Sequence, residues 1–103
     1  MGEEVHARPL VDAATEASLV EEYTAIAAEV DTCVHACKAC SAGPGFMVAY
    51  PAFDAASDKM RAFVLRTHDT PMSFDFRIKL LNGAIRMSAC TDEIHAIGNK
   101  LYA

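Results

Sequence analysis

The chain has 103 residues, of which 52% are hydrophobic and 22% charged, a balance typical of one small globular domain. Its formal net charge is −5 and its Lys and Arg residues are scattered, so we expect neither nucleic-acid binding nor attachment to an anionic membrane. The acidic start lacks the apolar core of a signal peptide, and no apolar run is long enough to cross a bilayer. We therefore expect a cytosolic (cytoplasmic) protein with reduced thiols.

The chain divides into an N-terminal arm over residues 1–11, which show no useful periodicity, and a single helical-bundle domain over residues 12–103. The first helix is predicted to begin between Asp12 and Ser18, because side chains there can accept hydrogen bonds from free backbone N–H groups. Its apolar residues recur at alternating spacings of four and three, which is the period of one helix face. They are Leu19, Tyr23, Ile26, Val30, Cys33, Cys37 and Cys40.

Glycine and proline signals set the predicted boundaries between the first two helices. We expect the first helix to end near residues 41–42, because Gly43-Pro44-Gly45 is typical of a turn. The second helix is predicted to begin at Pro51, since proline suits the first turn of a helix, and to end near residues 67–69.

The last helix is predicted to run from Pro71 to Tyr102, with an interruption at Gly83 as an alternative. Its apolar side chains change face part-way along, which indicates either a kink or a helix that is buried on both sides. Ile78, Leu81 and Ile85 share one side, whereas Met87, Cys90, Ile94, Ile97 and Leu101 share nearly the opposite side. Burial on both sides requires a second chain, and we therefore expect a homodimer.

These patterns predict an all-α fold, an antiparallel bundle of three long helices, or of four if the last helix breaks near Gly83. No alternating apolar run flanked by turn residues indicates a strand. The sequence also lacks a phosphate-binding glycine loop, a nucleophile elbow and a zinc-protease helix, which favours a function without catalysis.

Three of the four cysteines, Cys33, Cys37 and Cys40, continue the apolar stripe of the first helix. Cysteines four residues apart on a helix are too far apart for an easy disulfide, but two thiolates at this spacing can share a soft metal such as Cu(I) or Zn(II). Cys90 on the last helix is the fourth candidate ligand. The alternative is that all four cysteines pack as small hydrophobic side chains in the core.

The stretch Cys33-Val34-His35-Ala36-Cys37-Lys38-Ala39-Cys40 resembles the local pattern of the cysteine-rich four-helix-bundle copper-storage proteins. The resemblance covers residues 33–40 and implies thiolates that project inward from a helix and bind Cu(I). Storage proteins of that family line a whole bundle core with cysteines, whereas this chain has four. The resemblance therefore implies an inward thiolate pair and not a storage capacity.

The histidines are weaker candidates for metal binding than the cysteines. His35 is two residues from both Cys33 and Cys37, so it points away from their stripe and is expected to be exposed. His95 follows Asp92 at a spacing of three, which predicts a local pair of side chains.

Three functions remain open from the sequence. The first is a small bundle that binds a soft metal through the thiolates of the first helix. The second is a helical protein–protein interaction or assembly module, with cysteines that only pack, in which Met87, Ile94 and Leu101 form the oligomer contact. The third is a bundle that binds a small apolar ligand. Its candidate lining residues are aromatic: Phe46, Tyr50, Phe53, Phe63, Phe74 and Phe76.

Overall fold

The computed structural model describes residues 10–102 and contains three α-helices and no strand within that range, so the predicted all-α fold is confirmed. The helices are α1 (Ala13–Lys38), α2 (Gly43–Arg66) and α3 (Phe74–Leu101). No helix of the described range is long and apolar enough to cross a membrane. Most of the predicted N-terminal arm, residues 1–9, lies outside the described residues. Val11 precedes α1 and donates its backbone N–H to the carbonyl of Pro71 at 3.0 Å.

Helix α1 begins where the sequence indicates but ends earlier. Asp12 is its N-cap and accepts a hydrogen bond from the backbone N–H of Thr15 at 2.7 Å, which lowers the pKa of the Asp12 carboxyl group. The helix ends at Lys38 and not near residues 41–42 as predicted, because α2 begins at Gly43 and the chain must reverse direction before it. Cys40 therefore lies just beyond α1, in the connection between the helices.

Helix α2 begins at Gly43, and the prediction of a start at Pro51 is wrong. Gly43-Pro44-Gly45 forms the first turn of this helix. Backbone N–H groups in a first turn have no acceptor within the helix, so proline, which has no N–H group, loses no hydrogen bond there. Pro51 lies inside the helix on its exposed side, where water can replace the hydrogen bond that proline cannot donate. The helix ends at Arg66, close to the predicted end.

Helix α3 begins at Phe74 and not at Pro71, because Ser73 is the residue that caps it. The Ser73 hydroxyl accepts a hydrogen bond from the backbone N–H of Phe76 at 3.3 Å. The carboxylate of Glu16 on α1 accepts hydrogen bonds from the Ser73 N–H at 2.7 Å and from its hydroxyl at 2.8 Å. These hydrogen bonds lower the pKa of the Glu16 carboxyl group and fix the start of α3 from a distant part of the chain.

Helix α3 continues without a break through Gly83, so residues 10–102 form three helices and not four. Gly83 instead permits a close contact with α1, since a Cβ built there would lie 2.0 Å from Tyr23 Oη. Tyr23 also donates a long hydrogen bond to the carbonyl of Lys79 at 3.4 Å. Glycine lowers helix stability by about 1 kcal/mol relative to alanine, and the contact between the two helices offsets this cost.

The helices form an antiparallel up-down-up bundle, in which α2 runs opposite to α1 and α3. The ion pairs between helices show these directions. As residue numbers rise along α1, the numbers of the partner residues fall in α2 and rise in α3. The pairs are Glu22–Arg66 and Glu29–Lys59 to α2, and Asp31–Arg86 and Lys38–Glu93 to α3. All these side chains are well exposed, so each pair contributes at most about 1 kcal/mol.

Two clusters of buried apolar side chains form the core. One contains Cys37, Phe53 and Ile94, and the other contains Tyr23, Phe63 and Phe76, among others. The two apolar sides predicted for the last helix are both present. The side with Met87, Cys90, Ile94, Ile97 and Leu101 packs in the core, so the residues assigned to an oligomer contact lie inside one chain. The side with Ile78, Leu81 and Ile85 is exposed.

Candidate functional site: the thiol stripe and the outer face of helix α3

Cys37 is the most buried of the four cysteines. Its side chain is 0% exposed and belongs to the core cluster that contains Val34 and Phe53. Burial raises the pKa of the Cys37 thiol, and the neighbouring groups of Cys40 and Cys33 raise it further. This environment therefore favours the protonated thiol of Cys37 in the metal-free chain, whereas a metal binds the thiolate.

The other three cysteines are partly buried free thiols that pack against the same core cluster. The Cys40 thiol donates a weak hydrogen bond to the carbonyl of Ala36, with Sγ and O 3.2 Å apart. Cys90 lines a cavity of about 40 Å³ together with Tyr23 and Met60. Within residues 10–102, no three His, Cys, Asp or Glu side chains converge to hold a metal ion. The structure thus aligns the thiols near the end of α1 without assembling them with Cys90 into a tetrahedral ligand set.

His35 and His95 lie apart from the thiol stripe, which is the row formed by Cys33, Cys37 and Cys40. His35 is exposed, as its position off the stripe predicts. His95 contacts α2, where its Nε2 lies 3.1 Å from Tyr50 Oη, and this contact takes the place of the predicted local pair with Asp92. The Tyr50 ring also stacks on Phe46, with ring centroids 5.7 Å apart. No local pattern in the sequence indicates the Tyr50–His95 contact, because the two residues are far apart in the chain.

Helix α3 carries an exposed, uncharged row of residues on the side opposite the core, which we call the outer face. At ~100° per residue, its members lie within an arc of roughly 100° around the helix axis. They are Phe74, Ile78, Leu81, Asn82, Ile85 and Ala89. The four large apolar side chains of this row are 74%, 38%, 56% and 60% exposed in chain order. Exposed apolar residues are common singly, whereas these four form one contiguous row.

Phe74 was a candidate lining residue of a ligand pocket, and in the structure it belongs to the outer face. Its spacing of four residues from Ile78 is the signal that places it in the same row. Most of the other aromatic candidates are core residues: Phe46, Phe53, Phe63 and Phe76 are buried. Phe46 and Tyr50 line an open cavity of about 310 Å³ together with His95, and a role in binding a small apolar ligand stays a prediction.

An open apolar groove lies between α2 and α3. It has a volume of about 290 Å³, and its lining includes Val64 and Leu65 of α2 and Leu80 and Ala84 of α3. Leu65 is 77% exposed. Because Ala84 lies ~60° around the helix axis from Leu81, the groove adjoins the outer face and extends the apolar surface toward α2.

Comparison with known proteins finds no family model, no curated protein and no solved structure that matches this chain. The function is therefore inferred from the chain's own residues.

Proposed function

We propose that this chain is a helical assembly module that forms a homodimer through the outer face of α3. The observation that carries the proposal is the exposure of Phe74, Leu81 and Ile85 in one uncharged row that faces away from the core. A second copy would remove this row from water, which is the dominant favourable term in most protein association. Regular apolar rows of this kind also let two helices interdigitate their side chains.

The exposed area sets the strength of the expected dimer. The exposed fractions of the four large side chains of the outer face amount to roughly two whole side chains per copy. Burial of one such side chain contributes about 1.5–3 kcal/mol, so two copies gain about 7–14 kcal/mol before costs. Association costs about 4–15 kcal/mol. The net gain is therefore at most about 10 kcal/mol, so we expect a weak dimer, with a dissociation constant in the micromolar range or above, that one charge in the row would abolish.

The substitution Leu81→Glu tests the proposal, because it places a carboxylate at the centre of the outer face. Leu81 is 56% exposed, so the monomer should tolerate the change. Val48→Glu is the matched control, since Val48 is 78% exposed on α2 and lies outside the outer face. In sedimentation equilibrium, the wild type and Val48→Glu should dimerise and Leu81→Glu should remain monomeric, with equal helix content by circular dichroism. The proposal fails if Leu81→Glu dimerises as strongly as the wild type.

Soft-metal binding is a second candidate function, and the free thiols of Cys33 and Cys37, one turn apart on α1, favour it. Metal binding must remove the proton of a thiol, so the affinity for Cu(I) or Zn(II) should rise with pH. Anaerobic titration of the chain against a competing chelator tests this function, with Cys37→Ala as the comparison. Near-stoichiometric binding that Cys37→Ala abolishes supports it, and weak binding with four free thiols refutes it.

A further inference from the structure

We infer that the two copies of α3 in this dimer pack antiparallel about a two-fold axis between Leu81 and Asn82, with Asp75 of each copy beside Arg86 of the other. The inference rests on the proposed self-association and specifies its geometry and register. It follows from three features of α3, which are the symmetry of the outer face, the charges beside it, and the carboxylate at its end.

The first feature is that the positions of the outer face are arranged symmetrically along α3. Its members lie in pairs at equal distances from the midpoint between residues 81 and 82. The pairs are Phe74 with Ala89, Ile78 with Ile85, and Leu81 with Asn82. In an antiparallel two-fold contact the two members of each pair lie at the same level along the helices, so the large ring of Phe74 packs in the same layer as the small Ala89.

A parallel contact would match these side chains poorly. Each residue would then face its own copy, so two Phe74 rings would meet at one end of the row and two Ala89 methyl groups at the other. The helices would be held apart at one end and would leave a gap at the other. Two copies packed antiparallel fill the space evenly, which is what close-packed interfaces require.

The second feature is the pair of charges along one edge of the outer face. A two-fold axis perpendicular to α3 brings each edge of the face against the same edge of the other copy. Asp75 and Arg86 lie on one edge, ~20° apart around the helix axis at ~100° per residue. In the inferred register, Asp75 is level with Ser88 of the other copy, so Arg86 is ~3 Å away along the axis.

Both charged side chains are accessible for this contact. Asp75 is exposed, and the Arg86 side chain is 74% exposed with its guanidinium 3.6 Å from Asp31 of its own chain. The two-fold axis forms the Asp75–Arg86 pair twice per dimer. In a parallel dimer opposite edges meet, and the two residues would not face each other.

The third feature is Asp92, which continues the line of the outer face toward the end of α3. In the antiparallel register it is level with residue 71 of the other copy, next to the N-terminal end of that copy's α3 at Phe74. A carboxylate is favourable near a helix N-terminus, because the helix dipole is positive there. A parallel dimer would instead bring two Asp92 carboxylates together.

Two complementary substitutions test the register. Asp75→Arg alone creates two Arg–Arg contacts per dimer, and Arg86→Asp alone creates two Asp–Asp contacts. We expect each variant by itself to dimerise roughly tenfold more weakly than the wild type, because two attractive pairs become repulsive. An equimolar mixture restores both ion pairs and should form the heterodimer with about the wild-type affinity. Native mass spectrometry separates the heterodimer from the two homodimers by mass.

The control mixes Asp75→Arg with Arg77→Asp, which lies on the opposite edge of the outer face and should give no preferred heterodimer. Circular dichroism establishes that every variant is folded. If Asp75→Arg and Arg86→Asp mix statistically, or stay apart while the wild type dimerises, the antiparallel register is wrong and self-association stands. If the wild type is monomeric, both the register and the proposed function are wrong.

Discussion

Replacement of Gly83 by alanine has two opposing effects on stability, and the measured sign shows which is larger. Alanine is preferred in helices, but its methyl group would disturb the contact between α1 and α3. By propensity alone, Gly83→Ala would stabilise α3 by about 1 kcal/mol. In this structure the new methyl group would lie 2.0 Å from Tyr23 Oη and 3.2 Å from Tyr23 Cζ. Tyr23 is 8% exposed and packs against the rings of Phe63 and Phe76, so it has little room to withdraw. Overpacking costs about 1–3 kcal/mol and outweighs the gain in propensity, so we expect a net loss of up to about 2 kcal/mol.

Urea denaturation followed by circular dichroism measures this change in the free energy of unfolding. Gly45→Ala is the matched control, since the nearest atom to its added Cβ is Cys40 Sγ at 3.9 Å and no loss is expected. The double variant Tyr23→Phe/Gly83→Ala removes the nearest atom and should recover most of the loss. If Gly83→Ala is as stable as the wild type or more stable, the close packing of Tyr23 on α3 is refuted.

Two further predictions concern buried or hydrogen-bonded titratable groups. Cys37→Ala should lower the free energy of unfolding by roughly 1–2 kcal/mol, because it leaves a cavity in the core, and Cys40→Ala should cost less. Since burial raises the Cys37 pKa above its ordinary value of 9.0, stability should be full below pH 9 and fall as the pH rises further. Cys37→Ala should reduce this alkaline loss, and an unchanged loss would contradict the assignment. The Glu16 pKa is lowered from 4.5 by the hydrogen bonds from Ser73, so their stabilisation is present above that pH and lost as the pH falls. Glu16→Gln should therefore make the melting temperature less dependent on pH between 5 and 3, and the same dependence as in the wild type would argue against the contact.

The helices and their buried faces could be predicted from the sequence because helical periodicity is a local signal. Tyr23, Val30 and Cys37 were placed on one stripe of the first helix by their spacing, and all three are buried. The burial of Cys37 follows from the same stripe. Whether the stripe also binds a metal depends on which side chains approach it from other helices, and spacing along one helix does not determine that.

The helix boundaries were harder to predict because the same residues can end one helix or begin another. Gly43 and Pro44 suit the end of α1 as well as the first turn of α2, and the sequence alone did not distinguish these positions. The start of α3 depends on Ser73, which Glu16 holds from the far side of the bundle. A contact between residues so distant in the chain leaves no local pattern.

The sequence also indicated two apolar sides on the last helix without showing which one faces the core. In the structure the core side is marked by glycines that let rings of other helices approach. A Cβ at Gly98 would lie 3.0 Å from the ring of Phe46, and a Cβ at Gly83 would lie 2.0 Å from Tyr23 Oη. Because this side of α3 packs against the other helices, Leu81 and its neighbours on the opposite side are exposed. Their exposure depends on how the three helices pack, which the sequence of α3 does not determine.

The molar mass of the wild-type chain, measured by sedimentation velocity from low micromolar to several hundred micromolar concentration, decides whether the outer face drives self-association. The proposal predicts a rise from 11.1 kDa toward twice that value, with the midpoint in the micromolar range. A molar mass of 11.1 kDa at every concentration would mean that the exposed row on α3 does not pair with a second copy.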